Sequence, residues 1–143
     1  MELKQLNEQD SLCERYQRII VSEEKGKKHT ADNKNSHEVR HYRLDGGLVK
    51  QQLCCDYLLL DDTGKKAYYI ELKGKDMEHA VEQVIAGEKI CERLLKGYLS
   101  FYRIVTSKSR THNNQPSNFR KLLSKVGTTR FRYHNMVLSD TLN

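Results

Sequence analysis

The sequence predicts an α/β fold built on a central mixed β-sheet with flanking helices. One observation behind this prediction is a pair of short apolar runs, residues 52–60 and 66–73, separated by a loop that contains Asp and Gly. Such a pair is typical of two strands joined by a turn. The other observation is the predicted order of helix, three strands, helix, strand, helix and strand. A strand–helix–strand unit after a meander of strands indicates a mixed sheet with a right-handed crossover.

The first element is predicted to be a helix over residues 2–22, because apolar residues recur there at helical spacing. Four of them fall in its second half: Leu12, Tyr16, Ile19 and Ile20. Ser11 and Glu14 have the spacing of a capping box, and in that case the regular helix would begin near Ser11. Residues 23–36 are polar and are predicted to form a solvated connector.

The next elements are three strands. Residues 38–44 are predicted to form a strand, with Arg40, Tyr42 and Leu44 on one face, and the chain turns at Asp45, Gly46 and Gly47. The two runs described above follow as a hairpin. If Asp56 lies near the start of one strand and Glu71 near the end of the other, the two carboxylates lie side by side.

A helix is predicted over residues 77–96, where apolar residues form one stripe. Asp76 is suited to cap its first turn, and Gly97 is suited to end it. A strand over residues 98–106, a basic loop, a short helix over 117–126 and a last strand over 128–138 complete the prediction.

Composition and charge limit the classes of function. The chain carries a net charge of +6, and this charge is unevenly distributed. Residues 1–92 contain 15 Lys/Arg and 18 Asp/Glu, whereas residues 93–143 contain 10 Lys/Arg and one acidic residue, Asp140. A basic half beside an acidic motif favours a polyanionic substrate, although many small basic proteins bind none.

The chain is expected to be one domain over residues 1–143, and it contains no apolar run long enough to span a membrane. The N-terminus lacks the apolar core of a signal peptide, so we expect a cytoplasmic protein. The spacing of the four cysteines favours reduced, buried thiols over disulfides or a zinc site.

The motif formed by Asp56 and Glu71-Leu72-Lys73 resembles the signature of the PD-(D/E)xK, or restriction-endonuclease-like, nuclease superfamily. The 15-residue separation of the two carboxylates fits that signature. Cys55 stands where the signature has a proline, a position that varies in the superfamily. The predicted element order is also similar to the αβββαβ core of the superfamily, with an added helix and strand at the C-terminus. The resemblance implies a three-layer fold with a central mixed β-sheet flanked by helices.

The resemblance implies a metal-dependent nuclease that hydrolyses phosphodiester bonds in DNA. Asp56, Glu71 and the backbone carbonyl of Leu72 would bind Mg²⁺ or Mn²⁺, and Lys73 would position a water molecule or help to deprotonate it. An acidic residue of the first helix joins the site in many members, and Glu14 is a better candidate than Glu8. Gln83 on the second helix is a further candidate. Solvated or capping roles remain open for all three, and His79 is a weaker candidate.

Basic residues of the C-terminal half are expected to contact nucleic acid phosphates: Lys108, Arg110, Arg130 and Arg132. DNA is favoured over RNA, endonuclease over exonuclease activity, and a homodimer is possible. One alternative is a non-catalytic nucleic-acid-binding or regulatory protein on the same fold. Another is an ordinary interaction module in which Glu71 and Lys73 form an exposed ion pair.

Overall fold

The computed structural model of the chain describes residues 3–72, 76–107 and 115–143. It is a mixed α/β protein, as the sequence predicts, with eight strands and two α-helices in the described residues. The elements in chain order are β1 (Ile19–Glu24), β2 (Lys27–Asp32), β3 (Val39–Arg43), β4 (Tyr57–Asp61), β5 (Lys66–Glu71), α1 (Met77–Cys91), β6 (Leu99–Thr106), α2 (Ser117–Val126), β7 (Phe131–Asn135) and β8 (Val137–Thr141).

The larger sheet contains five strands in the order β3-β4-β5-β6-β7. Strands β3, β4 and β5 form an antiparallel meander, and β6 and β7 add to it in parallel. Helix α1 connects the parallel strands β5 and β6, and α2 connects β6 and β7. This part of the molecule agrees with the predicted mixed sheet.

The N-terminal part differs from the prediction. No α-helix covers residues 2–22 in the part of the chain described; a 3-10 turn, Glu8–Asp10, is followed by β1. Side chains of β1 alternate between exposed and buried, with Ile20 and Ser22 buried. A period of two is the signature of a strand that covers a core with one face. The helix prediction was therefore wrong.

The predicted connector over residues 23–36 was also wrong, because it contains β2. Strands β1 and β2 form an antiparallel hairpin, in which Glu24 pairs with Lys27 across Lys25 and Gly26. Both turn residues have positive φ, 51° and 81°, as a two-residue type I′ hairpin turn requires. The second sheet is completed by β8, which pairs with β2 in parallel.

The last predicted strand, residues 128–138, is two strands that belong to different sheets. The chain turns at Met136, whose φ is 66°, so that β7 joins the larger sheet and β8 joins the smaller one. The predicted helix 77–96 is regular only to Cys91 and continues as the 3-10 turn Glu92–Leu94.

The larger sheet is buried on both faces. Helices α1 and α2 cover one face with an apolar cluster that includes Val81, Val84 and Phe119. The smaller sheet covers the other face through Ile20, Ala31 and Leu138. The layers are therefore helices, five-stranded sheet and three-stranded sheet, whereas the restriction-endonuclease-like prediction placed helices on both sides.

All four cysteines are free thiols, and Cys54, Cys55 and Cys91 are buried between α1 and the start of β4. Burial raises the pKa of Cys91 to about 12 and raises that of Cys55 well above its ordinary value. The prediction of buried cysteines is confirmed at these three positions. Cys13 is partly buried.

Candidate active site

Asp56 and Glu71 lie opposite each other at one end of the larger sheet. Tyr57 pairs with Ile70 at the ends of β4 and β5, which places the two carboxylates on adjacent strands. The Asp56 backbone N–H donates to Glu71 Oε1 (3.1 Å), and the Leu72 backbone N–H donates to Asp56 Oδ2 (2.9 Å). Each carboxylate is thus held by the backbone of the neighbouring strand, side by side as the hairpin predicts.

The pair is almost completely withdrawn from solvent. Asp56 is 6% exposed and Glu71 is 1% exposed. Burial raises the pKa of Asp56 above its ordinary value, and the nearby carboxylates of Glu24 and Asp45 act in the same direction. The Leu72 N–H and the Arg43 guanidinium oppose this rise. A cation bound at the pair would favour the ionised form of Asp56 and offset the cost of burying its charge.

Arg43 is the described cation nearest this pair, and the sequence did not single it out. Its Nη2 lies 3.7 Å from Asp56 Oδ1 and 3.6 Å from Glu24 Oε1. The guanidinium is fixed by a bond from Nε to the Asp45 carbonyl (2.7 Å) and by its position 5.0 Å from the centre of the Tyr57 ring. It therefore connects the candidate site to the smaller sheet.

Glu24 is the acidic residue that the folded N-terminal region brings towards the site. It ends β1, and its position next to the Lys25-Gly26 turn carries it to Arg43. The sequence offered a weak signal for this hairpin, because Gly26 suits the second position of a type I′ turn, whereas Lys25 is not among the Asn, Asp and Gly residues preferred at the first. That signal was hidden by the polar composition of residues 23–36.

The oxygen donors at this end of the sheet are of the chemical type that hard divalent cations bind. Two carboxylates and a backbone carbonyl are the ligand types that Mg²⁺ takes while it retains several waters. Within residues 3–72, 76–107 and 115–143, no three His, Cys, Asp or Glu side chains are grouped as a metal site. The candidate metal ligands are therefore two carboxylates, those of Asp56 and Glu71, together with the backbone carbonyl of Leu72.

Gln83 lies on the buried face of α1, so a solvated role for it is wrong. It is 5% exposed, and its Nε2 donates to the carbonyl of Cys54 (3.3 Å), two residues before Asp56. Its Oε1 is buried and has no hydrogen-bond partner among the described residues. His79, by contrast, is only partly buried, and its Nδ1 lies 3.8 Å from Glu82 Oε2.

The structure does not bring Glu14 or Glu8 to the carboxylate pair. Glu14 is exposed, and the following residue, Arg15, accepts a hydrogen bond from the N–H of Val39. Val39 pairs with Asp61, five residues along β4 from Asp56, or about 16 Å at the rise of a strand. Glu8 pairs with Arg15 in the same region. Both predictions depended on a first helix that the structure replaces by strands.

The predicted basic contacts are only partly described. Lys73, Lys108 and Arg110 lie outside the described residues. Arg132 donates to Asp140 Oδ1 (2.8 Å) and to the Ser139 carbonyl, and Arg130 donates to the Ser100 carbonyl (2.9 Å). Both described arginines therefore stabilise the fold through their own hydrogen bonds.

A pocket of about 340 Å³ lies away from this pair, beside the opposite end of β4. Charged side chains that already form ion pairs line it, among them Arg15 with Glu8 and Arg40 with Asp62. It contains none of the predicted catalytic residues. The carboxylate pair remains the candidate active site on chemical grounds.

Comparison of the chain with protein-family models, with curated proteins and with solved structures finds no match. Among the described residues, no helix is long and apolar enough to cross a membrane.

Proposed function

We propose that this protein is a metal-dependent nuclease that hydrolyses phosphodiester bonds in DNA. The observation that carries the proposal is the buried pair of Asp56 and Glu71, each held by the other strand's backbone at the end of a mixed sheet. Lys73 follows two residues after Glu71 in the sequence, as in the PD-(D/E)xK signature that the motif resembles.

Asp56 and Glu71 would hold the metal with the Leu72 carbonyl. A bound Mg²⁺ or Mn²⁺ lowers the pKa of water and neutralises negative charge on a scissile phosphate. Asp56 and Glu71 are preorganised for this role, because their backbone partners fix them without side-chain rearrangement. Lys73 would orient the attacking water or accept its proton. Gln83 is a supporting candidate, since its buried Oε1 has no described partner.

The sheet topology supports the same proposal. An antiparallel meander followed by a helix and a parallel strand is the arrangement that the resemblance implies, and β3 to β6 with α1 have it. The smaller sheet lies where a helix was expected, and this difference removes Glu14 from the proposed catalytic set. Arg43 and Glu24 take its place as the charged groups nearest Asp56 from the N-terminal half.

The primary test is cleavage of plasmid, linear, single-stranded and four-way-junction DNA with Mg²⁺, Mn²⁺ or EDTA. Glu71→Gln, Asp56→Asn and Lys73→Ala should each reduce metal-dependent cleavage by at least about 100-fold, the loss that follows removal of a group stabilising a transition state. Glu38→Gln is the matched control, because Glu38 is exposed and lies at the opposite end of β3.

A second readout separates metal binding from cleavage. Mg²⁺ or Mn²⁺ should raise the melting temperature of the wild type, with about 2.7 kcal/mol of stabilisation at a hundredfold excess over Kd. Glu71→Gln should remove this response while the protein stays folded by circular dichroism. Cleavage that persists in EDTA or in Glu71→Gln would contradict the proposal. Salt-sensitive DNA binding without any cleavage would favour the non-catalytic alternative.

A further inference from the structure

Helix α2 presents a basic face to solvent. Its exposed residues are Ser117, Arg120, Lys121, Ser124 and Lys125. At 3.6 residues per turn they lie within an arc of roughly 140°, opposite the buried side chains Phe119 and Leu122. No acidic residue occurs between Arg93 and Ser139 in the sequence, so this face carries no compensating carboxylate of its own.

The cations of α2 differ from Arg103, Arg130 and Arg132. Arg103 and Arg132 are bound to Asp140, and Arg130 is bound to a backbone carbonyl. Arg120, Lys121 and Lys125 form no ion pair with any described carboxylate, although Arg120 also donates to the Gln115 carbonyl. Their charge is therefore available to a polyanion.

The position of α2 connects this face to the candidate site. Strand β6 runs parallel to β5 and ends beside Glu71, and both helices begin at that end of the sheet. The first turns of the two helices are joined by a hydrogen bond from Asn118 Nδ2 to the Glu78 carbonyl (2.8 Å). The basic face thus extends from the end of the sheet that holds Asp56 and Glu71.

We infer that the exposed face of α2 is a docking surface for the phosphate backbone of duplex DNA. Lys121 and Lys125 are separated by about 6 Å along the helix axis, a distance over which one DNA strand carries roughly two phosphates. Ser117 and Ser124 supply hydroxyl donors on the same face. Such contacts give affinity and position the strand without reading bases. The inference rests on the proposed function in one respect, the choice of DNA as the ligand.

The test measures binding of a fluorescein-labelled 30-base-pair duplex in EDTA by anisotropy, over a series of salt concentrations. The triple variant Arg120→Gln, Lys121→Gln, Lys125→Gln should bind at least about tenfold more weakly at 0.1 M salt. The slope of log K against log salt should decrease in magnitude by about 2 to 3. Lys34→Gln, Lys89→Gln, Lys96→Gln is the matched control, because it removes equal charge from exposed positions outside α2.

Equal affinities of the two triple variants would overturn the inference, as would absence of binding by the wild type. Competition by poly-glutamate as effective as that by duplex DNA of equal charge would also overturn it, and would indicate an acidic protein as the partner. Binding that depends on α2 without any metal-dependent cleavage would support the docking surface while the proposed nuclease activity fails. The two proposals are therefore tested separately.

Discussion

Gly87 lies on the buried face of α1, where the helix packs against Cys54 and Cys55 just before β4. A Cβ at this position would lie 2.5 Å from Cys55 Sγ and 3.6 Å from Cys54 Sγ. Cys55 directly precedes Asp56 and is fully buried, so it has little space to move away. The absence of a side chain at Gly87 therefore sets the distance between α1 and the strand that carries the candidate site.

Gly87→Ala is expected to destabilise the protein by about 1–3 kcal/mol, as overpacking of a core does. The sign of the change in the free energy of unfolding is informative, because Ala has a higher helix propensity than Gly. In a helix without crowding, the substitution would stabilise the protein by about 1 kcal/mol. Urea denaturation measures the free energy of unfolding. In the background of Cys55→Ala, which removes the crowded sulfur, the additional cost of Gly87→Ala should largely disappear. A stabilised single variant would show that the helix has room.

The site was partly predictable at the scale of single residues. Asp56 and Glu71 could be placed together because a hairpin fixes which residues lie opposite. Arg43 and Glu24 could not, because their approach to Asp56 depends on how the smaller sheet packs on the larger one. Residues that meet between two packed sheets have no characteristic separation in the sequence, unlike residues that face each other in a hairpin.

Helix α1 begins with the cap that the sequence predicts. Asp76 Oδ1 accepts the backbone N–H of His79 (3.2 Å). This bond satisfies one of the N–H groups that have no partner within the first turn. The start of α1, which follows the candidate site in the chain, is thereby defined by a local signal.

Asp76→Ala should reduce the free energy of unfolding by about 1 kcal/mol, because it removes the capping acceptor. Asp76→Asn retains an oxygen acceptor and should cost only a few tenths of a kcal/mol. Thermal or urea unfolding of both variants gives the comparison. If the Asp76→Ala and Asp76→Asn variants had the same free energy of unfolding, the side-chain cap would contribute nothing to stability.

The elements after residue 38 were more predictable than those before it, for a physical reason. Helices α1 and α2 have local start and end signals, and β3 to β5 are rich in strand-forming residues. In the N-terminal region, apolar residues at helical spacing indicated a helix, yet Leu12, Tyr16 and Ile19 are all exposed. Packing of β1 against the larger sheet overrode that spacing, and the β-branched run Ile19-Ile20-Val21 was the better signal.

At the scale of the whole molecule, the two sheets are joined by a buried polar network. Arg103, which is 2% exposed, donates to both oxygens of Asp140 (2.7 and 3.0 Å), and His29 Nε2 lies 2.7 Å from Asp140 Oδ2. Burial opposes ionisation of Asp140, but the hydrogen bonds from His29 and Arg103 outweigh it and lower the pKa. The network thus contains an ionised carboxylate between β2, β6 and β8.

Two histidines between the sheets are held neutral. Burial lowers the pKa of His29, and the positive charges of Arg103 and Arg132 lower it further. The hydrogen bond to Asp140 opposes this shift but does not cancel it. A neutral His29 that donates from Nε2 leaves Nδ1 unprotonated, which agrees with the absence of a described partner for that atom. Burial also lowers the pKa of His41 to about 4, beside the hydroxyl of Ser22 (2.8 Å).

The free energy of unfolding should therefore decrease as the pH falls below about 6.5, the pKa of histidine in an unfolded chain. Below that pH the unfolded chain binds protons that the folded chain does not, so protonation favours unfolding. His41 alone should remove of the order of 3 kcal/mol by pH 4, because each unit of pKa shift corresponds to about 1.4 kcal/mol. Urea denaturation between pH 7.5 and pH 4.5 measures this dependence.

His41→Gln should give a smaller decrease in stability over this pH range, whatever its effect on stability at pH 7.5. The slope with pH, rather than the absolute stability, is thus the informative quantity, since Gln also alters the contact with Ser22. His134→Gln is the matched control, because His134 is exposed on β7 and lies outside the buried network. If the wild type and His41→Gln lost stability in parallel, titration of His41 would not contribute. The acid sensitivity over this pH range would then have to arise at another buried group such as His29, since Asp140 stays ionised in both the folded and the unfolded chain above pH 4.5.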